Sequence, residues 1–211
     1  MVVPLQNEFM GKKAIILFVR NPVLGEVKTR LAATLGKENA LEIYKKLLDH
    51  THSITKNLEC DKYVFYADRI NQEDVWENEV FQKRIQEGQN LGARMNSAFH
   101  SLFSGGYKEV LIIGSDCYEL TQGHLEEAFE LLSEVDVILG PASDGGYYIL
   151  GMKEPAPELF TDMAWSTAGV FAETVKRLQK LSRRYLLLPL RNDVDEERDL
   201  PAAWRMAGVP R

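Results

Sequence analysis

The sequence predicts an α/β protein with three layers, helix over sheet over helix, and a mostly parallel central sheet. Apolar runs of strand length alternate along the chain with segments of helical period. Two of those runs, Ala14 to Val19 and Val110 to Ile113, are apolar at successive positions, as in strands covered on both faces. No fixed-period repeat, low-complexity tract or Pro/Gly linker divides the 211 residues, so a single domain is expected over 12–211, behind an N-terminal tail at 1–11.

The elements follow in order. Ala14 to Val19 is the first strand. Leu41, Tyr44, Leu47, Leu48 and Thr51 recur at steps of three and four and leave Glu42, Lys45, Lys46 and Asp49 outside, which predicts a helix from Lys37 to Thr55. Tyr63 to Ala67 reads as a second strand. Leu91, Met95, Ala98, Phe99 and Leu102 form a helical stripe, followed by a strand at Glu109 to Ile113, a helix at Gln122 to Leu132 and a strand at Val135 to Leu139. Two further strands are expected at Tyr147 to Leu150 and Tyr185 to Leu188. Between them Val170, Phe171, Val175, Leu178 and Leu181 mark a helix over Thr167 to Leu181.

Composition excludes several classes. Lys plus Arg total 25 against 31 Asp plus Glu, a net charge of -6, so a general electrostatic footprint for nucleic acid or an anionic membrane is missing. The apolar run near the N-terminus is shorter than a bilayer span or a secretory signal core, and the chain is expected in the cytoplasm, without membrane insertion. Cys60 and Cys117 form no CxxC pair; buried thiols in a reduced compartment are expected.

Ligands of open α/β sheets bind beyond the carboxyl ends of the strands, and three such loops are unusual. RNPVLGEVKTRL follows the first strand and gathers Arg20, Lys28 and Arg30 with one acid, Glu26. Gly25 can let backbone approach a ligand, and the cations suit phosphate oxygens. The P-loop glycine spacing is absent. GSDC places Asp116 at a strand end beside Gly114, a position for a magnesium carboxylate. A second carboxylate is offered by RNDVDEERDL, in Asp193, Asp195 or Glu196, although the same run reads as the cap of a short terminal helix. GPASDGGYYILG carries Asp144, Gly145 and Gly146, a turn signal by itself and, facing a metal, a place for substrate against bare backbone. Trp165 is a staple or an aromatic wall, and Ser166 reads as a helix cap. No histidine looks catalytic, and GxSxG, HExxH and GxGxxG patterns are absent.

Taken together, FVRNPVLGEVKTRL, QNLGARM, GSDCYEL, GPASDGGYYILG and DVDEERDL resemble the GT-A fold of the nucleotide-diphospho-sugar transferase superfamily. More narrowly they resemble the bacterial transferase 1 (rSAM/selenodomain-associated) family of glycosyltransferase-like proteins, whose relatives include the guanylyltransferases of coenzyme F420 and molybdenum cofactor synthesis. The resemblance implies that Arg20, Gly25, Lys28 and Arg30 contact nucleotide phosphates and that Gln89 and Arg94 lie along base and phosphates. It implies that Asp116 and Asp195 hold Mg2+ (or Mn2+), and that Asp144, Gly145 and Gly146 form the substrate-side turn, with Trp165 beside it. Lys28, Arg20 and Asp116 would be the catalytic residues. GSDC departs from the DxD pair of many glycosyltransferases, having Ser115 directly before a single aspartate.

The expected partners are a nucleotide sugar or nucleoside triphosphate and a small acceptor. The expected chemistry is transfer of the activated group, either glycosyl transfer or nucleotidyl transfer with pyrophosphate release. A nucleotide-binding module without turnover is the remaining alternative.

Overall fold

A computed structural model describes residues 12–206; the tail expected at 1–11 lies outside them. Seven strands form one sheet: β1 (Lys13–Val19), β2 (Asp61–Tyr66), β3 (Phe81–Ile85), β4 (Glu109–Ile113), β5 (Val137–Pro141), β6 (Tyr147–Met152) and β7 (Tyr185–Leu187), in the order β3-β2-β1-β4-β6-β5-β7. Six run the same way, and β6 is antiparallel to both β4 and β5. The reversal has a short-range cause. Only five residues separate β5 from β6, too few for the crossover that a parallel neighbour needs, so the chain makes a hairpin in which Ala142 N donates to Gly146 O at 3.0 Å.

The described helices are α1 (Thr29–Leu35), α2 (Lys37–Thr55), α3 (Leu91–Ser104), α4 (Gln122–Glu134), α5 (Val170–Lys180) and α6 (Ala202–Met206). Successive strand side chains face opposite sides. Ile15, Leu17, Leu111 and Ile113 pack with α2 and α4 through Tyr44, Leu48, Leu125 and Phe129. Ala14, Ile16, Val110 and Ile112 pack with α3 and α5 through Met95, Phe99, Leu102 and Leu178. Both faces are dry, which is why the strands read as unbroken apolar runs. A third cluster joins Leu31 of α1 to Ile43 and Leu47 of α2 and to Val194 and Leu200. It clamps the late acidic segment onto the first two helices.

Several boundaries differ from the sequence reading. β3 has the sequence FQKRI, with no apolar run, and is an edge strand held by parallel pairing to β2 and by buried Phe81. α1 spans seven residues, too few for its period to stand out. Val135 caps the C-terminus of α4, so β5 starts at Val137. α5 begins at Val170, not Thr167, because Ser166 takes a left-handed φ of 62° and Thr167 Oγ1 donates to Ala164 O at 2.8 Å. Ser166 therefore does not cap the helix; Gly169 occupies that position with no side-chain bond. In the late run, Asp199 Oδ2 accepts from Glu196 N at 2.7 Å, so a cap does form there, on a 3-10 turn ahead of α6. Both cysteines are free, and burial first of all pushes the Cys60 thiol up to about 11 and Cys117 up to about 12.

Candidate active site

A cleft of about 910 Å3 opens at the carboxyl ends of β1 and β4. Arg20 leaves the end of β1, and its backbone is fixed by Tyr44 of α2, whose hydroxyl accepts from Arg20 N at 2.9 Å and donates to Arg20 O at 3.2 Å. The chain then turns through Gly25, which has φ +80° and abuts Lys37. Gly25 is not among the residues lining the cleft; its left-handed backbone shapes the turn that delivers Lys28.

Lys28 holds the centre. It sits in left-handed geometry, φ 47°, immediately before α1, and its side chain is only 5% exposed. Its Nζ lies 2.7 Å from Asp116 Oδ1 and 3.1 Å from Asp195 Oδ1, carboxylates that are 43% and 37% exposed. Burial lowers the pKa of this ammonium, but Asp116 and then Asp195 more than offset that and hold it above the ordinary lysine value. Arg30, on α1, places Nη1 3.7 Å from Asp195 Oδ2. The two aspartates meet because Val194 N donates to Asp116 O at 2.9 Å, laying the late segment along the loop after β4.

Asp193 also lines the cleft. Its carboxyl is pushed up to about 7, chiefly by burial and then by repulsion from Asp116 and Asp144. In sequence Asp193 is one of three late acids, with Asp195 singled out only by the family resemblance; the burial that distinguishes Asp193 is not visible in a run of acids. Ser115 is buried, with Oγ 3.4 Å from Tyr44 Oη. In sequence Tyr44 shows only as part of a helical stripe, because its partners in the cleft come from other segments.

Gln89 and Arg94 line the cleft on the β2 and β3 side. Gly88 has φ +144°, and a Cβ there would lie 2.7 Å from Arg94 N, so the loop folds tightly onto the start of α3. Asn90 caps that helix through Ala93 N at 2.9 Å. Arg94 Nε donates to Gly88 O at 3.1 Å, and Gln86 Nε2 donates to Phe65 O at 2.9 Å.

Asp144, Gly146 and Trp165 form the far wall, with Tyr147. Asp144 Oδ1 accepts from Gly146 N at 2.8 Å. Gly145 does not line the cleft: its φ is +89°, and a Cβ would stand 2.2 Å from Ala168 O, so it seats the turn against the segment before α5. Trp165 lies against Gly92, where a Cβ would be 2.2 Å from the indole Nε1, and stacks with Phe160.

The donor set can be weighed for a divalent ion. Among the described residues no three His, Cys, Asp or Glu side chains form a preformed cage. Asp116 and Asp195 nevertheless reach one common nitrogen, and a magnesium ion is content with one or two carboxylates when phosphate and water complete its shell. The pair fits such an ion once Lys28 yields its present place.

The order of the strands and the cleft beyond their carboxyl ends define the nucleotide-diphospho-sugar transferase-like class of α/β folds. A protein from Desulfovibrio desulfuricans G20, whose crystal structure is named as that of a candidate nucleotide-diphospho-sugar transferase, superposes with a TM-score of 0.83 at 27% identity, covering 95% of this chain and 93% of that one. The family described as "Uncharacterized protein conserved in bacteria (DUF2064)" matches residues 50–167, more than half of the chain, and the chain belongs to it. More distant likeness, of fold alone, is found to CMP:2-keto-3-deoxy-manno-octonic acid synthetase complexed with CTP (TM-score 0.57, 10% identity, 93% and 96% covered). It extends to the inositol-1-phosphate CTP transferase of T. maritima (TM-score 0.53, 12% identity, 94% and 96% covered). No curated protein sequence matches. No helix among the described residues is long and apolar enough to cross a membrane.

Proposed function

We propose that the protein is a glycosyltransferase-like nucleotide-diphospho-sugar transferase. The observation that carries this reading is the meeting of Lys28 with Asp116 and Asp195 in a cleft also lined by Arg20, Arg30 and Arg94. Four cations around two convergent carboxylates suit a metal-bound diphosphate. The likeness to the Desulfovibrio protein supports the same class.

In this reading Asp116 and Asp195 hold Mg2+ or Mn2+, whose chemistry there is neutralisation of the diphosphate. Arg20, Lys28 and Arg30 bind the phosphates, and Gln89 and Arg94 lie along base and phosphates. A hydroxyl oxygen of the acceptor enters past Asp144, Gly146 and Trp165 and forms a bond to the anomeric carbon of the donor. The bond from that carbon to the diphosphate oxygen breaks, and its electron pair leaves on the nucleoside diphosphate. The acceptor proton passes to solvent. Lys28 and Arg20 stabilise the charge that grows on the departing oxygen.

Calorimetry with a panel of nucleotide sugars, with and without Mg2+, tests this: one donor should bind in a metal-dependent way, and Asp116→Ala should abolish that dependence. Unchanged binding in the variant would refute the assignment. The same cations would also suit a triphosphate, so nucleotidyl transfer is the second reading; it is separated by its product, pyrophosphate instead of a nucleoside diphosphate.

A further inference from the structure

The two edges of the sheet are protected differently. β3, at one end of the strand order, carries an inward-pointing charge: the Lys83 side chain is 5% exposed and donates to Asn71 O and Asp74 Oδ1, each at 2.8 Å. Charge buried on an edge strand guards against the addition of a further strand. β7, at the other end, continues as YLLLPL from Tyr185 to Leu190 with no charged side chain. Of the six large apolar side chains exposed among the described residues, three belong to this stretch: Leu186, Leu187 and, at 65%, Leu190. Such clustering marks a contact surface.

The free backbone groups of β7 form a symmetric set. Val137 N donates to Arg184 O at 3.1 Å, Leu188 N donates to Leu139 O at 3.0 Å, and Leu186 pairs with Ile138. Arg184, Leu186 and Leu188 therefore face β5, and the N–H and C=O of Tyr185 and Leu187 point away from the sheet. Among the described residues nothing bonds to them. The outward groups on either side are taken: Arg183 N donates to Leu178 O at 3.1 Å, while Pro189 has no N–H and its carbonyl accepts from Tyr148 Oη at 2.9 Å. What remains is centred on Leu186. A second copy laid antiparallel, Leu186 against Leu186, lets each Leu187 exchange both bonds with Tyr185 of the other copy and meets every free group. An axis at Tyr185 or at Leu187 would oppose a free group to Arg183 or Pro189.

Charge agrees with the same register. Arg183 and Arg184 fall opposite Pro189 and Leu188 of the other copy, and each keeps its own acid, Glu154 at 2.7 Å and Asp136 at 3.0 Å, so no like charges stand face to face. Leu186 meets its own counterpart at the position where cross-strand side chains come closest.

We propose that β7 is the surface through which two copies of this chain associate, antiparallel about Leu186, joining their sheets edge to edge. The edge is short, so the contact belongs with transient interfaces that bury less than about 1,200 Å2. No residue of β7 lines the cleft, and the pairing stands or falls apart from the transferase reading.

Sedimentation velocity on the full chain, up to about 500 µM, should show a reversible dimer with a dissociation constant of about 1–100 µM. Leu186→Lys sets two ammonium groups on the axis, and Leu187→Pro removes an outward N–H while leaving the bonds to β5 in place; each should weaken the dimer about tenfold or more. Leu24→Lys, at an exposed leucine of the loop after β1, should leave it unchanged. Hydrogen exchange over Tyr185–Leu187 should slow as concentration rises. A monomer throughout the range, a dimer indifferent to both β7 variants, or one weakened equally by Leu24→Lys would overturn the proposal. So would protection of the β7 amides that does not change with concentration, since that would place a segment of the same chain on the edge.

Discussion

Lys28 and Asp195 stand 167 positions apart in sequence and 3.1 Å apart in space. Two contacts that neither residue makes bring them together: Leu31 and Val194 share one buried cluster, and Val194 N bonds to the carbonyl of Asp116. The lysine thus occupies the point where the two carboxylates converge, the place that the proposed metal would take.

Lys28→Met should expose that competition. Two half-exposed carboxylates would lose their shared counter-ion, at a cost of about 1–2 kcal/mol in thermal or urea unfolding after allowance for solvent screening. Mn2+ alone, followed by electron paramagnetic resonance, should bind about tenfold or more tightly to the variant than to the parent. Lys28→Arg, which keeps the charge, should stay weak. Equal Mn2+ affinity in all three proteins would show that the ammonium does not guard the site.

Gly92→Ala should be strongly unfavourable although alanine is the better helix former. The new methyl would fall 2.2 Å from the Trp165 indole, which is backed by Phe160 and cannot simply withdraw. Overpacking of this kind costs about 1–3 kcal/mol. Urea denaturation measures it, and a neutral result would mean that Trp165 is free to leave its wall.

Stability should depend on Asp193 in a defined pH window. Its carboxyl titrates near 7 in the folded chain, mainly through burial, against an ordinary 3.8. The folded state therefore binds the extra proton between those values, so the contribution is full below about 4 and is lost as pH rises to about 7. Asp193→Asn should remove this fall and be more stable than the parent at pH 8, by about 1–2 kcal/mol for a group beside an open cleft. Melting temperatures at pH 4.5 and pH 8 check the sign; a variant less stable at pH 8 would contradict it.

Tyr44→Phe should leave Arg20 N without its partner and cost about 1–2 kcal/mol. Hydrogen exchange at the Arg20 amide reads the loss directly, with faster exchange expected in the variant. Unchanged protection would mean that another acceptor takes over.

Much of the frame was legible in one dimension. The helix at Lys37–Thr55 and the strand at Glu109–Ile113 have the predicted bounds, because a stripe of period 3.6 and a run dry on both faces are local patterns. β3 was not, since FQKRI owes its conformation to the neighbour it pairs with. Ten of the twelve candidate site residues line one cleft. Gly25 and Gly145 are the exceptions: a glycine needed for a positive φ looks the same in sequence whether it faces a ligand or another segment of backbone.

The sequence by itself determined the alternation of strands and helices, the buried faces and the chemical types gathered after the strands, because periodicity and composition act within a few residues. Only the tertiary structure decided that FQKRI would become an edge strand beside β2, that Lys28 would fill the place between Asp116 and Asp195, and that Asp193 would sit buried enough to hold a proton near neutrality. Those outcomes depend on distances between segments remote along the chain, and packing of the whole core sets such distances.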